Sequence, residues 1–94
     1  MESVKPRFSL GQIVATPGAI EALTRANQQP HDFLNRHAAG DWGELGGKDK
    51  AENKYSLEHG FRILSSYRTT ADAKLWVITE ADRSVTTLLL PNEY

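Results

Sequence analysis

The chain contains no cysteine, which excludes a disulfide framework, thiolate chemistry and any metal site built on sulfur. It also has almost no net charge. Eleven basic residues stand against 12 acidic ones, a balance of −1 with histidine neutral. Nucleic-acid affinity rests largely on neutralising phosphates, so a chain without a basic excess argues against that class of partner. The last third repeats the balance, with Arg62, Arg68, Lys74 and Arg83 against Asp72, Glu80, Asp82 and Glu93. Long apolar runs are missing as well. The longest, Leu75–Ile78 and Leu88–Leu90, fall far below the ~20 residues that span a bilayer. Met1–Pro6 lacks the apolar stretch of a secretory signal, so no membrane contact and a cytoplasmic location are expected.

What is present belongs to an ordinary globular domain. The 94 residues are 39% apolar and 24% charged, enough for one domain over 1–94 with a single small core. Residues 1–7 are polar and expected to be loose. Phe8-Ser9-Leu10 and Ile13-Val14-Ala15, separated by Gly11, are each placed to add a short edge strand. Thr16-Pro17 reads as an N-cap followed by proline at the first helical position. Ala19, Ile20, Leu23 and Ala26 then follow at helical spacing. Pro30 opens a second helix with Asp32 in its first turn. Phe33, Leu34, His37 and Ala38 form its apolar face, and Gly40 is its stop. Asp41–Gly47 is a glycine-dense loop. Lys48–His59 reads as a polar third helix anchored by Ala51, Tyr55 and Leu57, and Gly60 ends it.

Beyond Gly60 the period becomes strand-like. Phe61–Arg68, Lys74–Thr79 and Ser84–Leu90 are rich in β-branched and aromatic residues. Their links are hairpin-length and too short for parallel crossovers, which predicts a three-stranded antiparallel meander. The predicted class is therefore α+β, about three helices packed on this meander. Both faces of the sheet carry apolar residues. Leu75 and Val77 point one way, Trp76 and Ile78 the other, and Leu88 and Leu90 oppose Leu89. Three modest helices cover one such face, so either the N-terminal segment wraps round or an apolar patch faces a partner.

Tests for chemistry return little. Gly46-Gly47-Lys48 opens a helix, but a phosphate loop needs glycine where Trp42 stands and Ser or Thr where Asp49 stands. His31 and His37 are six apart, off the i, i+3 or i, i+4 spacing of helical metal pairs. Neither a metal nor a cofactor is expected. Ser65, Ser66 and Ser84 lie in no nucleophile motif. Glu80, Asp82 and Arg83 form a polar cluster in the hairpin link after the most apolar strand, either an acid–base group or a turn. Trp42, in its glycine loop, is either a core plug or an exposed anchor.

Gly40-Asp41-Trp42-Gly43, Arg62–Tyr67, Trp76–Ser84 (its most specific part Ile-Thr-Glu-Ala-Asp-Arg-Ser) and Leu89–Tyr94 together resemble a family of small bacterial proteins associated with plasmids, prophages and other mobile elements. The likeness runs from about Phe8 to Tyr94 and implies no catalytic residues. It does imply an accessory protein that binds another protein, an inhibitor of host defence of the anti-restriction or anti-CRISPR kind. The contact residues expected for it are Trp42, Trp76, Ile78, Leu88, Leu90, Glu80, Asp82 and Arg83. Two alternatives stand beside it. One is a RelE-like ribonuclease toxin drawing on Arg62, Tyr67, Arg68, Lys74 and Arg83. The other is a homodimer without enzymatic activity.

Overall fold

A computed structural model describes residues 5–94 of the chain. The elements run β1 (Gln12–Ala15), α1 (Pro17–Ala26), α2 (Pro30–Ala38), α3 (Gly47–His59), β2 (Ile63–Arg68), β3 (Lys74–Thr79) and β4 (Val85–Leu89), closed by a 3₁₀ turn at Pro91–Glu93. The class is α+β, as the sequence predicts. The sheet differs from the prediction in having four strands, ordered β1-β4-β3-β2. β2, β3 and β4 form the antiparallel meander. Of the two N-terminal candidates, Gln12–Ala15 joins it, and pairs parallel to β4. Parallel pairing needs a long return path, and here three helices and two strands separate the partners.

The helix starts follow local chemistry. The Thr16 hydroxyl accepts from the Ala19 N–H at 3.1 Å, and Pro17 occupies the first turn. Glu93 adds a tie that the sequence did not signal. Its carboxylate accepts from the Thr16 hydroxyl at 2.5 Å, the Gly18 N–H at 3.1 Å and the Leu90 N–H at 2.8 Å. These bonds, the Thr16 one foremost, hold the carboxyl below its ordinary pKa.

Register assigns the faces. Val77 pairs with Leu88 and Trp76 with Leu89, while Ser65 pairs with Val77 and Tyr67 with Leu75. Tyr67, Leu75, Val77 and Leu88 therefore share one face, and Ala19 and Leu23 of α1 with Phe33 and Leu34 of α2 close over it as the core. Ile20, placed in the apolar stripe by spacing, is exposed, and Ala22 is buried instead.

The third helix departs furthest from expectation. Ala51 and Tyr55 are exposed, and the buried residues of α3 are Asn53 and Ser56. Asn53 donates to the Leu64 carbonyl at 2.6 Å and accepts from the Leu64 N–H at 3.2 Å. So α3 attaches to the sheet by capping the β2 edge, not by an apolar stripe. Residues 42–44 finish that edge, with Ser66 N–H donating to Trp42 O at 3.2 Å and Glu44 N–H to Ser66 O at 2.6 Å. Replacing Asn53 by alanine strands both backbone groups of Leu64. A loss of about 1–3 kcal/mol is expected, with faster amide exchange at Leu64 as the local readout.

Candidate functional site

The outer face of the sheet carries residues that strand alternation and register bring together, even-numbered in β1, β2 and β3 and odd-numbered in β4. Leu64, Ile78, Thr87 and Val14 form one cross-strand row, and Ser66, Trp76 and Leu89 the next. α1 and α2 lie on the opposite side, and α3 meets the sheet at its β2 edge. Cover on the outer face comes from the other end of the chain than the sequence reading proposed. Of the described N-terminal residues, Phe8 packs against His37 and Trp42 and Leu10 against the core, on the helix-covered side. Instead Tyr94, just past the 3₁₀ turn, packs edge-on against Trp76 with ring centroids 5.9 Å apart. The Arg62 guanidinium stands 5.4 Å over the Tyr94 ring, a cation–π arrangement. Tyr94 remains 66% exposed, and at the other end of the face Val14 is 39% exposed.

The rim of this face is basic. Arg68 pairs with Glu44 and with Asp72, each at 3.2 Å. Arg62 and Lys74 make no ion pair among the described residues. The face thus combines a half-buried Trp76 at its centre, the Tyr94 ring laid against it and the cations Arg62 and Lys74 at its border.

The anticipated contact residues divide. Trp76 lies at the centre of the outer face, half-buried. Ile78 is on the same face but enclosed between its neighbours. Leu88 and Leu90 belong to the opposite side: Leu88 is wholly buried and Leu90 packs against the core. The cause is the Trp76–Leu89 register, which strand composition alone does not set. Of the two readings of Trp42, core plug and exposed anchor, the structure shows the plug, which takes it out of the contact set. It is buried, 6.0 Å from the His37 ring and 6.3 Å from Phe8, and so acts as a plug of the core. Leu64, Val14, Arg62 and Tyr94 also lie on this face and are not among the expected contact residues, although strand parity carries the first two once register is known; Leu89 shares the face but is buried.

Glu80, Asp82 and Arg83 do not form an acid–base group. The Asp82 carboxylate accepts from the N–H and hydroxyl of Ser84 at 3.0 and 2.6 Å, and the hydroxyl bond chiefly lowers its pKa. Arg83 donates to the carbonyls of Phe61, Glu80 and Ala81 at 2.7, 3.1 and 3.2 Å, and to Ser56 O at 3.1 Å. The guanidinium clips the hairpin to the end of α3.

A serine–histidine pair does exist inside the protein. Ser65 Oγ lies 2.5 Å from His37 Nδ1, and Thr79 Oγ1 lies 2.9 Å from Nε2. Both His37 and Ser65 are 0% exposed, so no substrate reaches them. The Arg62, Tyr67, Arg68, Lys74 and Arg83 set does not converge either. Tyr67 is in the core, donating to Asp41 O at 2.5 Å, with its pKa pushed up to about 12 by burial. Arg62 and Arg68 share the outer face, and Arg83 is spent on carbonyls. Among the described residues no three metal-ligating side chains cluster, and no helix is long and apolar enough to cross a membrane.

No known protein-family model, curated protein or solved structure matches this chain.

Proposed function

We propose that the protein is a small protein-binding accessory factor that docks through the outer face of its sheet. The observation that carries this reading is the placement of Trp76. It is a half-buried tryptophan at the centre of a face without α1 or α2, flanked by Tyr94 and by the cations Arg62 and Lys74. The resemblance of the 40–43 and 78–84 motifs to small proteins of mobile elements supplies the role: a cytoplasmic inhibitor of a host defence protein. A nuclease reading gains nothing from the geometry, because its tyrosine is buried in the core and Arg83 is bound to backbone carbonyls, away from Arg62 and Arg68.

Trp76→Asp introduces a charge at the face centre. It is expected to weaken capture of partners from host lysate by at least about tenfold, the scale of a binding hot spot. Thr24→Asp, on the exposed side of α1, is expected to leave capture intact, with circular dichroism checking both folds. Identical capture by wild type and Trp76→Asp, or no specific capture by either, counts against the reading.

A further inference from the structure

The two edges of the sheet are finished differently. At β2, Asn53 and residues 42–44 consume the outward backbone groups of Leu64 and Ser66. At β1 the bonds from Gln12 N–H to Ser84 O at 2.9 Å and from Thr16 N–H to Leu88 O at 3.0 Å fix which groups face β4. The even-numbered residues turn inward. The N–H and C=O groups of Ile13 and Ala15 therefore point away from the sheet, and among the described residues nothing pairs with them. β1 also lacks the usual guards of an edge: Gln-Ile-Val-Ala carries no charge and no proline. Ile13 is 41% exposed, and beside it opens a groove of about 980 Å³ lined by Phe8, Leu10, Ala38 and Ala39.

We infer that β1 pairs antiparallel with β1 of a second copy of this chain, joining two sheets into one. The strand is complementary to itself in three respects. Two-fold pairing about Val14 sets Ile13 opposite the partner subunit's Ala15, and both residues offer outward N–H and C=O groups. Both backbone bonds then form at each such pair. The same register sets bulky Ile13 beside small Ala15 on one face and Val14 against the partner's Val14 on the other, with no like charges opposed. Finally, Gln12 falls opposite the partner's Thr16, the residue whose hydroxyl holds the exposed Glu93 carboxylate, so an amide donor meets an acceptor. A foreign strand can meet the same backbone groups, but without this symmetric fit of side chains. A second copy has all of it.

Sedimentation velocity over a dilution series, up to about 0.1 mM, is expected to show a reversible dimer. Ile13→Pro removes an outward N–H while keeping the β1–β4 ladder, because proline is tolerated where its missing donor faces solvent. It is expected to raise the dissociation constant at least about tenfold with an unchanged circular dichroism spectrum. Ile13→Lys, which leaves the backbone untouched, is expected to act in the same direction. In a protein without cysteine, Val14→Cys is expected to oxidise to a covalent dimer, since directly opposed antiparallel residues reach disulfide distance. Gln12→Cys, about 14 Å from its own copy in this register, is not. A monomer at every concentration overturns the inference. So does a dimer that survives both Ile13 variants, or Val14→Cys linking no faster than Gln12→Cys. A dimer lost in Trp76→Asp and kept in Ile13→Pro places the interface on the outer face and overturns it equally.

Discussion

Gly43→Ala is expected to destabilise the protein by about 3 kcal/mol or more, the combined scale of a left-handed non-glycine residue and an overpacked contact. Gly43 has φ +71°, and a Cβ there lies 2.1 Å from the Ser66 carbonyl oxygen and 2.6 Å from the Tyr67 ring. One obstacle is backbone and the other a core side chain, so neither moves cheaply. Relief requires residues 42–44 to leave the β2 edge. That move breaks the Ser66 N–H to Trp42 O bond and the Glu44 N–H to Ser66 O bond, and withdraws Trp42 from Phe8 and His37. For a domain of this size the melting temperature is expected to fall by about 10–20 °C. Gly47→Ala is the control. A Cβ there meets nothing within 4 Å, the residue opens α3, and alanine favours a helix. A Gly43→Ala variant that melts with the wild type removes the clamp from the account of this fold.

The second large effect is on acid stability and belongs to His37. Thr86 donates its hydroxyl to Leu10 O at 2.7 Å. Its oxygen therefore accepts from Thr79, 2.7 Å away. Thr79 in turn accepts from His37, which fixes the proton on Nε2 and leaves Nδ1 to accept from Ser65. A second proton, on Nδ1, displaces the Ser65 hydrogen bond as it stands, since the hydroxyl must turn its own hydrogen elsewhere. Burial first, and the nearby Arg83 charge second, lower the pKa from 6.5 to about 4. With the folded value below the unfolded one, the unfolded chain binds the extra proton between about pH 6.5 and 4. Stability is then complete above pH 6.5 and falls as pH drops through that window, by about 3 kcal/mol in all. Urea titrations at stepped pH are expected to show this slope, and His37→Gln, which has no ionisable ring, to flatten it. The carboxyl of Asp41, held low chiefly by its hydrogen bond from Arg36, loses its contribution only further down the scale. An equal slope in wild type and His37→Gln removes His37 as the cause.

How much of this was readable in the chain depends on whether the signal is local. Thr16-Pro17 and Pro30 mark helix starts because capping and proline geometry act within a few residues. Gly60 ends α3 at φ +75° for the same reason. The meander followed from loop lengths that forbid crossovers. Distant partners were not legible. Asn53 looks like any helix-interior polar residue until Leu64 lies beside it, and of the more apolar anchors Ala51 and Tyr55 are exposed while Leu57 is half-buried. Leu88 and Leu90 went to the wrong face because alternation gives two faces without naming which is covered. The hairpin register of Trp76 with Leu89 makes that choice. Glu93 at the start of α1 and β1 beside β4 are contacts across more than seventy positions, beyond any periodicity. Of the docking face, Trp76 was found from its strand. Tyr94 and Arg62 required the fold.

The unequal finish of the two sheet margins sets a limit on assembly. A sheet open on both flanks recruits strands without end and grows into fibres. Here Asn53 and the Trp42–Glu44 segment seal one flank, so strand addition has a single port. In the proposed dimer two copies share that port, its hydrogen-bonding capacity is spent and growth stops at a closed particle that carries two Trp76 faces.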